Sequence, residues 1–167
     1  MTLRWWSHPT PIGELGVTVG DAGVCRISLP GADPVPPPEA VEERVDAFAR
    51  QLDEHFDGTR RTFDADLDLS GARTPFQREV LLALRREVPW GTTVTYGELA
   101  EIVGRPRAAR AVGTTMASNP VPLVVPCHRV VASAGNGAVR LGGYGGADGR
   151  PEMKRVLLAI EGVQVPD

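Results

Sequence analysis

Cys127 and His128 stand side by side in this sequence, directly after Pro126 and an apolar run interrupted by proline. A thiol reacts as its thiolate, and a nearby imidazole can accept its proton, so the pair is a candidate nucleophile. The pair alone does not decide the matter, because free cysteines are usually buried filler and neighbouring side chains of an extended strand point to opposite faces. The interpretation therefore depends on the elements that position the two residues.

The composition is typical of a folded globular protein. The chain has 167 residues, 42% hydrophobic and 23% charged, which suits one domain or two small ones. It has no apolar run near the roughly 18 residues of a membrane span and begins without the apolar segment of a signal peptide. Cys25 and Cys127 have no CxxC spacing, so neither a disulfide framework nor a zinc site is indicated. We expect a cytoplasmic protein with no membrane partner.

Charge differs between the two halves of the chain. Residues 1–71 hold 6 Arg against 13 acidic residues, whereas residues 72–167 hold 11 Arg and Lys154 against 8 acidic residues. A basic half is a weak indication of a polyanionic partner. Scattered surface arginine is the commoner reason, so charge alone does not identify the partner.

The first half is predicted to be a small α+β unit. Three short apolar runs bounded by turns predict strands: Leu3 to Trp6, Leu15 to Val19 and Val24 to Leu29. After a proline-rich loop, apolar residues at helical spacing predict a helix that stops at Gly58: Val41, Val45, Phe48, Leu52 and Phe56. Strict alternation of apolar and acidic residues from Thr62 to Leu69 predicts a further, half-buried strand.

The second half is predicted to be mostly helical. Thr74, Pro75 and Gln77 supply an N-cap, a first helical residue and a capping-box glutamine. Thr95 and Glu98 form another capping box before a short helix, and a further helix runs from about Arg107 to Ser118. Two short helices with a tight turn predict a helix-turn-helix. The inward residues of the first helix are expected to be Val80, Leu81, Leu84 and Val88, and the second helix carries Leu99, Ile102 and Val103.

Small residues surround Arg110 on the second helix of that pair. They are Ala108, Ala109, Ala111, Gly113 and Ala117. A glycine inside a helix destabilises it by about 1 kcal/mol relative to alanine. The presence of Gly113 is easier to understand if something bulky must approach this helix closely. Close packing between helices is the alternative reason. Arg110 is expected to project from this thin surface.

A last amphipathic helix ends at Glu161. Its apolar face is predicted to consist of Met153, Val156, Leu157 and Ile160. A carboxylate at the negative end of a helix dipole is unfavourable by about 0.3–1 kcal/mol, so Glu161 is either solvated or partnered, and His128 is the partner we expect. The preceding glycine-rich segment from Gly142 to Gly146 matches neither phosphate-binding nor dinucleotide-binding patterns and is predicted to be a mobile loop.

These residues make the second half resemble the O6-alkylguanine-DNA alkyltransferases, the methylated-DNA–protein-cysteine methyltransferases. The resemblance rests on Tyr96, the Ala108 to Gly113 helix with Arg110, Asn119-Pro120, Pro126-Cys127-His128-Arg129-Val130, Tyr144-Gly145-Gly146 and Glu161, in that order. Pro11-Ile12-Gly13 and Phe56-Asp57-Gly58 match the family's N-terminal domain less specifically. The resemblance implies an α+β chain, with a small sheet-and-helix scaffold domain at residues 1–71. A mostly helical domain at residues 72–167 then carries a winged-helix-like helix-turn-helix.

The resemblance implies direct and irreversible DNA repair. The helix-turn-helix would bind the minor groove of double-stranded DNA containing O6-alkylguanine, and Arg110 would replace the flipped-out nucleotide in the base stack. Cys127 would take the alkyl group from O6 of guanine, with O4 of alkylated thymine as a second candidate atom. The family implies no cofactor, no metal and no obligate protein partner, so we expect a monomer that acts once.

The resemblance also assigns roles to single residues. Glu161, His128, a water molecule and Cys127 would form a relay in which His128 is the general base. Asn119 would bond backbone groups near the active site, and Tyr96 would donate a proton to guanine N3. The expected DNA contacts are Tyr96, Ala108, Ala109, Arg110 and Gly113, and the expected substrate pocket is Met116, Val130, Tyr144 and Gly145.

Two departures from the family pattern leave the accepted alkyl size open: Ser133 to Gly143 is a few residues longer, and Gly145 stands where some members have serine. Two other functions also remain. A non-catalytic binder of DNA lesions would lack the active-site cysteine that Cys127 supplies, and a Cys-His hydrolase would not account for an arginine on a helix-turn-helix. His8, Cys25 and His55 have metal-ligand types at the wrong spacing, so we expect structural or surface roles for them.

Overall fold

The computed structural model describes residues 1–31, 36–144 and 150–167. The chain forms two compact units, one of Met1–Gly71 with Pro120–Pro122 and one of Ala72–Asn119 with Leu123–Asp167. Both units contain helix and sheet, so the predicted α+β class is confirmed. Within the described ranges, every helix is too short or too polar to cross a bilayer.

In the first unit, the residues that the structure describes form a four-stranded sheet and one helix. Its elements are β1 (Arg4–Thr10), β2 (Gly13–Gly20), β3 (Gly23–Ser28), β4 (Val41–Glu42) and α1 (Asp46–Phe56). The sheet order is β3-β2-β1-β4, with antiparallel pairing except for β4, which runs parallel to β1. The predicted strands alternate with turns as expected, and their inward residues meet the apolar face of α1. The core includes Leu15, Val17, Ile27, Phe48, Ala49 and Leu52.

The predicted start of the first helix is wrong. Val41 lies in β4 and is 51% exposed, and α1 begins only at Asp46 with Val45 as its N-cap. The backbone N–H of Val41 donates to the carbonyl of Leu3 at 2.8 Å. Val41 therefore pairs with β1 as part of a strand, although its spacing from the following apolar residues indicated a helix.

The predicted strand from Thr62 to Leu69 is also wrong in extent, because it makes a single bridge between Leu67 and Val24. The approach occurs at Gly23, which has a φ of 128°. A Cβ on Gly23 would lie 2.3 Å from the carbonyl oxygen of Asp66, so only glycine allows the two backbones to come this close. The alternation persists as burial from Phe63 to Leu67, where the apolar side chains are half-buried and the two intervening acids are exposed, but without a ladder of hydrogen bonds.

The described part of the second unit contains four α-helices and a three-stranded sheet. Its elements are α2 (Pro75–Glu87), β5 (Val94–Thr95), α3 (Tyr96–Ile102), α4 (Ala109–Ala117), a 3₁₀ turn (Cys127–Arg129), β6 (Val130–Gly135), β7 (Ala138–Arg140) and α5 (Pro151–Ile160). Strand β6 pairs parallel with β5 and antiparallel with β7. Helices α3 and α4 pack against each other. The core includes Val80, Leu81, Leu84, Leu99, Val112, Leu157 and Leu158.

The capping residues predicted for α2 and α3 are confirmed, with one difference in detail. At α3 the capping box is reciprocal: Glu98 N donates to Thr95 Oγ1 at 3.1 Å, and Thr95 N donates to the Glu98 carboxylate at 2.7 Å. At α2 Thr74 accepts from Gln77 N, but the Gln77 side chain accepts from Arg73 N instead of the N-cap residue. Each bond satisfies a backbone donor that a helix start leaves open.

Two large apolar residues of α3 and α5 are exposed, and one of them, Val156, was predicted to lie on the apolar face of α5. Ile102 is 45% exposed and Val156 is 41% exposed. The buried face of α5 instead follows Lys154, Leu157 and Leu158, spaced as i, i+3 and i+4. Leu157 belongs to the predicted face as well, so the pattern erred in including Val156 and in omitting Lys154, because a lysine is normally assigned to the outer face of a helix.

Candidate active site

The chain reaches Cys127 through a strained turn. Leu123 is buried and has a φ of 75°, a left-handed conformation that costs a non-glycine residue about 1–3 kcal/mol. Cys127 N then donates to Val125 O at 2.8 Å and Arg129 N donates to Pro126 O at 3.0 Å, which closes the 3₁₀ turn. Strain of this kind persists only where the surrounding packing fixes the backbone. Here the strained residue lies in the segment that leads into the 3₁₀ turn of Cys127.

A 3₁₀ turn places Cys127 and His128 differently from a strand. Successive side chains are about 120° apart in a helix with three residues per turn, instead of pointing to opposite faces. Cys127 is 6% exposed and His128 is fully buried. Both side chains therefore lie inside the second unit, each in its own surroundings.

A cavity of about 150 Å³ lies next to Cys127. Its lining consists of Tyr96, Gly113, Met116, Ala117, Cys127, Gly143 and Tyr144. Met116 and Tyr144, which were predicted to line the substrate pocket, both line this cavity. Val130 is fully buried and is not among the lining residues, and Gly145 lies outside the described residues.

Polar groups around the sulfur oppose the effect of its burial. Burial raises the pKa of the Cys127 thiol, while a hydrogen bond from Asn119, the charge of Lys154 and contact with the Tyr144 hydroxyl act to lower it. Asn119 Nδ2 also donates to Val125 O at 3.0 Å, the backbone bond expected of this residue. Asn119 therefore supports both the turn and the sulfur.

His128 and Glu161 form the pair expected from the sequence. His128 Nε2 lies 2.8 Å from Glu161 Oε1, and both side chains are buried. Burial lowers the pKa of His128 although Glu161 acts in the opposite direction. The ring is therefore neutral near pH 7 and can accept a proton.

Arg129 is a member of the site that sequence reasoning missed. Its guanidinium binds both oxygens of Glu161, with Nε and Nη2 at 2.8–3.1 Å, and Nη1 donates to Val88 O at 2.8 Å. Gly91 N adds a bond to Glu161 Oε2 at 3.2 Å. Burial opposes ionisation of Glu161, but the bonds from His128 and Arg129 hold its pKa at about 2. A buried carboxylate at a helix C-terminus needs several hydrogen-bond donors. The position of Glu161 at the end of α5 therefore indicated a partner besides His128, and Arg129 is that partner.

Lys154 is the other residue that sequence reasoning missed. Its side chain is fully buried, and Nζ donates to Val130 O at 2.6 Å and to Gly143 O at 3.1 Å. Burial lowers the pKa of Lys154 to about 8, although the Cys127 charge acts to raise it. The spacing of Lys154 with Leu157, Leu158 and Glu161 was the available signal.

Helix α4 separates the residues predicted to contact DNA into two groups. Tyr96 and Gly113 face the cavity. An open depression on the surface is lined by Arg107, Ala108, Ala109, Arg110, Ala111 and Thr114. Arg110 is exposed there, whereas the neighbouring Arg105 is engaged by Glu79 at 2.7 Å and by the Phe76 ring at 5.3 Å. The thin surface and the exposed arginine therefore lie on the same side of α4.

The candidate metal-ligand types of the first unit have structural surroundings. His8 is buried, lies 2.8 Å from Asp53 through Nε2, and accepts from Trp6 Nε1 through Nδ1 at 3.3 Å. Cys25 Sγ contacts Thr18 O at 3.5 Å. Across residues 1–31, 36–144 and 150–167, no group of three or more His, Cys, Asp or Glu residues could hold a metal ion.

Residues 75–163 match the family model described as 6-O-methylguanine DNA methyltransferase, DNA binding domain. The chain is 41% identical over 162 residues to the methylated-DNA–protein-cysteine methyltransferase of Mycolicibacterium paratuberculosis, and the alignment covers 95% of this chain and 92% of that protein. It is 38% identical over 159 residues to the constitutive enzyme of that name from Bacillus subtilis, with 91% of each chain covered. The crystal structure of Mycobacterium tuberculosis OGT in complex with DNA matches 98% of this chain and 95% of its own, with a TM-score of 0.82 and 34% identity.

Proposed function

Because the chain belongs to the methylated-DNA–protein-cysteine methyltransferase family, we propose that it repairs alkylated DNA directly, by transferring the alkyl group from O6 of guanine to Cys127. The observation that carries this proposal is the position of Cys127, which lines a cavity and is followed in the same turn by His128, bonded to Glu161. A thiol, a neutral base and a carboxylate that orients the base are the parts of an activated nucleophile.

The reaction follows from these groups. Cys127 loses its proton to His128 through a water molecule, and the sulfur then attacks the alkyl carbon. A carbon–sulfur bond forms as the carbon–O6 bond breaks, and the electron pair of that bond stays on the guanine. Tyr96, which lines the cavity and whose pKa is raised by burial, donates a proton to the leaving base, so the base departs neutral. The product is a thioether, which water does not cleave, so each chain acts once.

The substrate must leave the DNA helix to reach the sulfur. A stacked base hides its O6 atom, and flipping it out costs a few kcal/mol, less for a damaged pair. We assign α3 and α4 as the helix-turn-helix that binds the DNA, with the surface of Ala108, Ala109 and Arg110 against the minor groove. Arg110 is exposed on that surface and long enough to fill the space that the flipped base leaves. Gly113, on the cavity side of α4, leaves room for the base itself.

The second unit holds all of the chemistry in this proposal. Cys127, His128, Glu161, Tyr96 and Asn119 all belong to it, so one chain suffices and we propose that the protein acts as a monomer. The first unit carries the acidic excess of the chain, which disfavours contact with phosphates, and we assign it a scaffold role.

The test is incubation with duplex DNA that contains a single O6-methylguanine, followed by peptide mass spectrometry. We expect one added methyl group per chain, on Cys127, and unmodified guanine in the DNA. Duplex with O4-methylthymine tests the second candidate substrate in parallel. Repeated turnover, or methylation of Cys25 in place of Cys127, would contradict the proposal.

Cys127→Ser is the matched control. It should abolish transfer and keep DNA binding, which should weaken as salt rises because phosphate contacts release counterions. If Cys127→Ser still removed the methyl group, another residue would be the acceptor.

A further inference from the structure

The chain contains 17 arginines and one lysine. That lysine, Lys154, is buried in the second unit, which also contains Cys127. Lys154 extends from α5 with no exposed surface. A buried charge is costly unless it is hydrogen-bonded and paired. Its two acceptors, the carbonyls of Val130 and Gly143, satisfy hydrogen bonds but carry no charge. No step of the proposed alkyl transfer uses the charge of Lys154.

Both carbonyls connect Lys154 to the cysteine. Gly143 lines the cavity together with Cys127, and Val130 directly follows the 3₁₀ turn that holds Cys127. The ammonium therefore lies behind the cavity wall, within electrostatic reach of the sulfur. The effect is mutual, because the charge of Lys154 lowers the pKa of the Cys127 thiol and the thiolate raises the pKa of Lys154.

Resting on the proposed function, we propose that Lys154 is the counter-cation of the Cys127 thiolate: a positioning residue that stabilises the reactive sulfur by its charge and fixes the cavity wall through two carbonyl bonds. Charges interact more strongly in a buried site than in water, so a fixed cation there offsets the desolvation that disfavours a thiolate. A compact ammonium suits two converging carbonyls, whereas a planar guanidinium presents five donors that need more acceptors. This requirement explains a lysine at this position in a chain that otherwise uses arginine.

The other groups around the sulfur do not supply this charge. Tyr96 reaches it from α3 and Tyr144 from the segment after β7, and burial raises the pKa of both, so they are neutral donors. Asn119, after α4, is uncharged. His128 has a lowered pKa, and Arg129 is engaged by Glu161. Among the described residues that act on the pKa of Cys127, Lys154 is thus the cation.

The first test measures the rate of Cys127 alkylation by iodoacetamide as a function of pH, without DNA and in a Cys25→Ser background. Lys154→Met removes the charge and keeps an unbranched side chain. We expect its rate profile to shift upward by about one pH unit, which is roughly a tenfold slower reaction at pH values below both midpoints, with the rate recovered above them. An unchanged midpoint with a slower rate at every pH would indicate a purely structural role and overturn the proposal.

Arg155→Met is the matched control. Arg155 is the next residue of α5, but it is 46% exposed and pairs with Asp167 at the surface. Its removal changes the net charge by the same amount and should leave the midpoint unchanged. Equal shifts in the two variants would mean that the overall charge acts, and not the buried ammonium.

A second test leaves residue 154 intact. Because the chain has one lysine, ¹⁵N-lysine labelling gives a single side-chain ammonium resonance to titrate by NMR. Coupling between two sites is reciprocal, so Cys127→Ser, which removes the thiolate, should lower the titration midpoint of Lys154. Identical midpoints in the two proteins would overturn the proposal. Neither test uses DNA, so its outcome is separate from that of the repair assay.

Discussion

Replacing Glu161 with glutamine should weaken the fold as well as the chemistry. The carboxylate accepts hydrogen bonds from His128, Arg129 and Gly91. Burial acts to raise its pKa, yet His128 and Arg129 hold the pKa at about 2, against an ordinary value of 4.5. A difference of this size corresponds to about 3 kcal/mol of stabilisation at neutral pH. Glutamine preserves the shape but leaves the guanidinium of Arg129 buried without an opposing charge.

The direction of the pH dependence follows from the sign of this pKa difference. Because the pKa of Glu161 is lower in the folded protein than in the unfolded chain, its contribution is complete above about pH 4.5 and is lost as the pH falls toward 2. Urea unfolding of the wild type and of Glu161→Gln at a series of pH values isolates this group from the other carboxylates. The free energies of unfolding should differ by about 3 kcal/mol at pH 7 and converge in acid.

A second substitution tests the cause of the loss. Removing one partner of a buried ion pair leaves an uncompensated charge, whereas replacing both partners is far less costly. Arg129→Met in the Glu161→Gln background should therefore recover part of the lost stability, and a double-mutant cycle measures the coupling. Equal stability of the wild type and Glu161→Gln at pH 7, or a difference that stays constant from neutral to acid pH, would refute this reasoning.

Two further predictions concern α4. Gly113→Ala should raise the melting temperature, because alanine is better in a helix by about 1 kcal/mol and its Cβ would meet the Tyr96 ring at an ordinary 3.9 Å. In competition assays this variant should lose more activity, relative to the wild type, toward bulky alkyl groups than toward methyl. A lower melting temperature of the variant would contradict the packing argument. Arg110→Ala should slow transfer from duplex DNA more than from free O6-alkylguanine in single-turnover assays, and equal slowing of both would exclude its place in the base stack.

The sequence predicted the parts of the site in which one residue creates a clear physical requirement for a partner. The capping box of Thr95 and Glu98 required only a spacing of three residues and is present with both bonds. The pairing of His128 with Glu161 could be predicted because a carboxylate at the wrong end of a helix dipole needs a donor. In each case an unsatisfied polar group of a helix end required a partner, and the sequence offered a residue of the right type.

The sequence failed where a contact distant along the chain decided between two local choices. Val41 fits a helical spacing, but its backbone pairs with Leu3 in a strand. Lys154 has the polarity of a surface residue, and only the carbonyls of Val130 and Gly143 make its burial possible. Backbone acceptors have no signature in a sequence, so a buried lysine that uses them is assigned to the surface.

Glu161 joins three segments of the second unit: the end of α5, the 3₁₀ turn through His128 and Arg129, and the turn after α2 through Gly91. Selection for catalysis and selection for folding therefore act on the same carboxylate. A substitution there cannot be compensated by improving only one of these properties. The sulfur of Cys127 takes no part in these hydrogen bonds to Glu161, so during evolution the chemistry could disappear by one change at position 127 while the architecture persisted.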